Sequence, residues 1–170
     1  MDQDDSTLVG VGPQPRAGLW TGRLSLAVLA CFVALGLIGV LGVHTSSADT
    51  RANGYSVSLD YPRTARAGLD VAWQATVTRE RGFTGPVELA VTADYFDIYE
   101  TQGFFPEPDS QTRDGATLYL TFTTPPGDTL VVSYDAYIQP SSQVGRDGTL
   151  AVREDGREVA SVDFDTWLAP

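Results

Sequence analysis

Apolar side chains recur at alternate positions from residue 55 to residue 167, the period of a β-strand that buries one face. Tyr55, Val57, Leu59 and Tyr61 share one face with Ser56, Ser58 and Asp60 opposite, and Pro62 is expected to end the strand. Leu69, Val71, Trp73, Ala75 and Val77 repeat the arrangement, and Gly82 and Gly85 mark a turn. Val87, Leu89 and Val91 predict a third strand, and Leu118, Leu120 and Phe122 a fourth, closed by Thr124-Pro125-Pro126-Gly127. Leu130, Val132, Tyr134, Ala136 and Ile138 predict a fifth before Pro140. Two more runs between Thr149 and Trp167 flank Asp155-Gly156, a pair suited to a two-residue type I′ hairpin.

About seven strands, with no helical period among them, predict an all-β unit over residues 54–170. An Ig-like β-sandwich is the expected fold, with a small barrel as the alternative. Its core would rest on Trp73, Phe122, Tyr134 and their aliphatic neighbours. Residues 92–115 fit no strand, and their aromatics, Tyr95, Phe96, Tyr99, Phe104 and Phe105, make this the candidate interaction loop. The competing reading makes part of it an edge strand, with Tyr95, Phe96 and Phe104 covering the open end of the core.

Upstream the pattern changes. Residues 24–43, LSLAVLACFVALGLIGVLGV, carry no charge and one polar side chain, Ser25. At about 1.5 Å per residue they match the hydrocarbon thickness of a bilayer, so a transmembrane helix acting as signal anchor is expected. Arg16 and Arg23 precede the run and the next basic residue is Arg51, which puts residues 1–23 in the cytoplasm as a tail and the β domain outside. Gly36, Gly39 and Gly42 form a stripe that would allow close helix contact, although glycine is common in membrane helices anyway. Residues 44–53, HTSSADTRAN, are small and polar and read as a linker. Ser46-Ser47-Ala48 also suits cleavage of a secretory signal before Asp49, but the apolar run exceeds the core of an ordinary signal. A lipoprotein signal at Cys31 fails because the apolar stretch continues beyond it.

Charge and rare residues then remove function classes. The 170-residue chain has a formal charge of -11. Setting aside Asp2, Asp4, Asp5, Arg16 and Arg23 leaves 19 acids against 9 arginines, a net of -10 beyond the apolar run. Such a surface disfavours nucleic acid and anionic lipid, whose binding draws on cationic side chains. The only cysteine, Cys31, lies in the apolar run, so no disulfide within the β unit is available. The only histidine, His44, lies outside the β unit, which argues against histidine-dependent acyl transfer. Without His, Cys or Met beyond residue 44, zinc, copper, haem and redox sites are poor readings.

Calcium needs only oxygen ligands, and Asp94, Asp97 and Glu100, or Asp163 and Asp165, are its candidates. Neither group matches the spaced-aspartate loop, so no metal and no cofactor are expected. Paired acids suited to glycoside hydrolysis are not singled out by any motif, and no catalytic residue is assigned. Gly145-Arg146-Asp147-Gly148 reads as a turn.

Every basic side chain is Arg and Asn occurs once, at Asn53, a composition typical of a high-GC genome. With this composition, the run from Pro62 to Leu69, Phe83-Thr84-Gly85-Pro86-Val87, Asp94-Tyr95-Phe96-Asp97, Gly145-Arg146 and Val162-Asp163-Phe164-Asp165-Thr166-Trp167, the chain resembles the single-span membrane proteins of high-GC Gram-positive bacteria that carry a secreted Ig-like domain. The resemblance implies architecture and location, and it assigns no activity, substrate or site residue.

The expected function is a membrane-anchored extracellular module for protein or envelope interaction, without catalysis. Its partners would be the lipid bilayer, through residues 24–43, and a membrane or envelope protein. An accessory subunit of a polytopic membrane protein and a carbohydrate-binding or carbohydrate-active domain are the alternatives.

Overall fold

The computed structural model describes residues 16–37, 42–100 and 102–169 and divides into two compact units, residues 1–41 and 42–170. In the first, α1 spans Arg16–Leu37. Every side chain described in it, from Trp20 to Ala34, is exposed, Leu24, Leu26, Val28 and Phe32 among them. Residues 38–41 of the expected span lie outside the described residues. Among the described residues, no helix is long and apolar enough to cross a membrane.

The second unit is mostly β, as the alternation predicts. Its strands are β1 (His44–Ala52), β2 (Tyr55–Arg66), β3 (Asp70–Arg79), β4 (Val87–Thr92), β5 (Phe104–Phe105), β6 (Ser110–Asp114), β7 (Thr117–Phe122), β8 (Thr129–Tyr137), β9 (Arg146–Glu154) and β10 (Arg157–Ala169). They form one curled sheet in the order β5-β8-β3-β2-β10-β9-β4-β7-β6, with β1 paired to β2. The seven runs of alternating apolar residues correspond to β2, β3, β4, β7, β8, β9 and β10, and their apolar positions meet in one core, except that Leu69, expected on the inner face of the second strand, precedes β3 and is exposed. Val57, Leu59, Trp73, Val77, Leu89, Leu120, Val132 and Leu150 are fully enclosed there.

Two expectations about chain limits are corrected. The segment expected to be a linker is β1, antiparallel to β2 from His44↔Thr64 to Ala52↔Tyr55. Asn53 and Gly54 join the two strands with φ values of 53° and 79°, the left-handed pair that a type I′ hairpin needs. Pro62 does not end β2. Pro62 is partnered with Thr45 of β1 beside a register shift at His44/Thr45, and the pairing of β2 with β3 stops at Asp60 while that with β10 starts at Thr64, so the proline sits at an irregularity where a missing N–H is tolerated.

β10 holds the sheet together. Residues from Arg157 to Thr166 pair antiparallel with β9, and Trp167, Leu168 and Ala169 pair in parallel with Thr64, Ala65 and Arg66 of β2. Gly145, just before β9, lies so close to this crossing that a Cβ there would come within 1.8 Å of the Thr166 carbonyl oxygen.

Candidate functional site

The sequence between β4 and β7 builds the most elaborate local structure of the β unit. β4 runs into a 3₁₀ turn, Ala93–Ile98, which sends Ala93, Tyr95 and Ile98 inward and leaves Asp94 and Asp97 exposed. Tyr99 then bridges to Ile138, β5 adds two residues to the edge of β8, and β6 adds five to the edge of β7.

The aromatics of this segment pack on one another and on the sheet. Phe96 lies 4.9 Å from Tyr134, 5.3 Å from Phe104 and 5.5 Å from Trp73, and Tyr95 meets Phe164 edge-on at 4.6 Å. These are the offset and edge-to-face spacings that aromatic pairs prefer. Tyr95 and Tyr99 are 0% and 2% exposed, while Phe96 and Phe104 are half-buried. The exposed contact patch expected of Tyr95, Phe96, Tyr99, Phe104 and Phe105 is therefore corrected. Burying the rings closes the open end of the core, and of the five only Phe105, 79% exposed, faces solvent freely.

A chain of hydroxyls runs through the same region. Thr166 Oγ1 donates to the Pro62 carbonyl at 2.6 Å, which leaves it to accept from Tyr95 at 2.8 Å, and the Tyr99 hydroxyl lies 2.8 Å from that of Tyr95. Burial pushes the Tyr95 hydroxyl up to about 12 and moves Tyr99 in the same direction. Burial also raises Tyr134, whose hydroxyl donates to the Glu100 carbonyl and accepts from the Gln102 N–H. The Trp73 indole N–H, by contrast, is buried without a partner among the described residues.

Above the aromatic floor lies an open cleft of about 460 Å³ between the 3₁₀ turn, β5 and the β6–β7 hairpin. Phe96, Phe104 and Tyr134 line its apolar side, and Gln102, Gln111 and Arg113 its polar side. Arg113 is held by Asp94 at 2.6 Å and approaches Asp97 at 3.9 Å. Gln139 also lines the cleft, with its amide donating to the Tyr99 carbonyl at 2.5 Å.

Four of the five acids weighed for calcium are engaged otherwise. Asp94 and Asp97 face Arg113, Asp163 accepts from Thr149 at 2.6 Å, and Asp165 pairs with Arg63 at 3.1 Å. Among the described residues, no group of three or more acids, histidines or cysteines is placed to hold a metal ion. Gln102, Gln111, Arg113 and Gln139 were not singled out by the sequence. They lie on separate segments, and no motif or spacing signals their meeting.

No protein-family model matches the chain, and comparison with curated proteins finds no significant relative.

Proposed function

We propose that this chain is a membrane-anchored extracellular module: residues 24–43 cross the bilayer, residues 1–23 stay in the cytoplasm, and the β unit is an Ig-like sandwich that binds a protein or envelope partner without catalysis. The observation that carries this reading is α1, whose side chains from Leu24 to Ala34 are exposed and, Ser25 apart, carry nothing polar to turn to water. A helix that is apolar all round belongs in a core or in lipid. Arg16 and Arg23 ahead of the uncharged run 24–43, with no basic residue after it until Arg51, favour the amino terminus inside.

Strand β1 favours a retained anchor over a cleaved signal, because cutting before Asp49 would remove Ser46, Ser47 and Ala48 from the β1–β2 ladder and with them the half-buried Ala48. Membrane fractionation with external protease, followed by intact-mass measurement, tests the reading. Full-length chain in the membrane fraction, with the β unit accessible from outside, is the expected result. Full-length chain free in the cytosol would overturn it.

A further inference from the structure

We infer that the cleft between the 3₁₀ turn, β5 and the β6–β7 hairpin is a binding site for a neutral sugar unit. The inference rests on reading the β unit as a non-catalytic binding module, and it names the class of ligand.

Three properties of the cleft select that class. The first is size: about 460 Å³ falls within the roughly 300–1,000 Å³ of small-molecule sites and leaves room for a short oligosaccharide segment.

The second is charge. The ionic side chains lining the cleft are Arg113 and Asp97, of opposite sign and 3.9 Å apart, and Arg113 is also held by Asp94 at 2.6 Å. An anion would have to displace two carboxylates from the guanidinium, and a cation would meet the guanidinium itself. An uncharged ligand disturbs neither.

The third is the pairing of lining chemistries. The side-chain amides of Gln102 and Gln111 are exposed and make no hydrogen bond among the described residues, so each offers two donors and an acceptor to a ligand. In the same lining, half-buried Phe96 and Phe104 and the edge of the buried Tyr134 present aromatic carbon. A pyranose has the matching two-sided character, with hydroxyls around its rim and a C–H face that stacks on aromatic rings. An aliphatic ligand would leave the amides unused, and a nucleotide would bring phosphates to a site with no free cation among its described residues.

The rings are held rigidly. Phe96 is fixed against Trp73, Phe104 and Tyr134, and the Tyr134 hydroxyl is tied to the backbone at Glu100 and Gln102. A stacking platform set in advance spares the ligand the entropy of ordering it. Because Trp73 packs edge-on against both Phe96, at 5.5 Å, and Phe104, at 6.1 Å, its fluorescence should respond to occupancy.

The test uses the full chain purified in a detergent without a sugar headgroup, screened against neutral and anionic oligosaccharides. Hits are then titrated by tryptophan fluorescence. Binding to a neutral glycan is expected, weakened about tenfold by Gln111→Ala and further by Gln102→Ala with Gln111→Ala, on the scale of lost hydrogen bonds. Neither substitution should move the melting midpoint, because both amides are exposed and unbonded. The inference is overturned if no neutral glycan binds, if only anionic glycans bind, if the double variant binds like the wild type, or if a proline-rich peptide binds at these residues while glycans do not. Binding in detergent is independent of cellular location, so failure here and failure of the fractionation experiment are separate results.

Discussion

The hydroxyl of Tyr95 lies 2.8 Å from Oγ1 of Thr166, and both residues are buried where β10 passes from one partner strand to the other. Thr166 passes its own proton to the Pro62 carbonyl, so one side chain satisfies groups on two segments. Thr166→Val keeps the shape, strips the Pro62 carbonyl of this donor and leaves Tyr95 with the Tyr99 hydroxyl alone. A buried polar group stripped of its hydrogen bond costs about 1–3 kcal/mol, and that loss is expected in urea unfolding. Thr166→Ser should recover most of it. Equal stability of the valine and serine variants would remove the hydroxyl chain from the account of the fold.

The same tyrosines predict an alkaline limit. Burial raises the Tyr95 hydroxyl from 10.0 to about 12, so the folded state holds the proton more tightly than the unfolded chain does. The resulting stability is complete below pH 10 and is lost as pH climbs from 10 toward 12, and Tyr99 shifts the same way. Tyrosinate absorbance should therefore show a late phase that coincides with loss of β-sheet circular dichroism. Ionisation of all seven tyrosines near pH 10 with the sheet intact would contradict it.

Gly145 and Gly85 make a contrasting pair. A Cβ on Gly145 meets the Thr166 carbonyl oxygen at 1.8 Å, a backbone atom that cannot swing aside, whereas one on Gly85 has nothing within 4 Å. Gly145→Ala should destabilise by about 3 kcal/mol or more, in the range of severe overpacking and strain. Gly85→Ala should lie within about 0.5 kcal/mol of the wild type. Thermal unfolding of the two variants side by side decides the matter.

Asp147 and Asp165 are direct partners across the β9–β10 ladder, so two like charges share one exposed face, and Arg63 at 3.1 Å balances only Asp165. Asp147→Asn should raise stability by about 0.2–1 kcal/mol at low salt. The gain should shrink as salt screens the pair. A gain independent of ionic strength would point away from repulsion.

How much of this was legible in the sequence follows from burial. Strands that send every second side chain into the core advertise themselves, as β2 and β3 do through Val57, Leu59, Trp73, Ala75 and Val77. β1 and β6 do not: the half-buried positions of β1 are Ser46, Ala48, Thr50 and Ala52, and β6 is exposed throughout. Small or polar strands leave no apolar period, although Asn53-Gly54 is a hairpin signal that could have identified β1. The long segment after β4 was read correctly in its structural alternative, in which Tyr95, Phe96 and Phe104 cover the core. Its cleft was not legible, since Gln102, Gln111 and Gln139 come to line one cleft only after β5 and β6 have found their edges.

The dual pairing of β10 bears on the order of assembly. Every other described strand precedes it in the chain, yet among the described residues the ladders of β2 and β9 are linked only through it. Until residues 157–169 are available, a partly made chain is two unjoined ribbons with open edges. A polypeptide built this way stays open to threading until residues 157–169 take their place between β2 and β9.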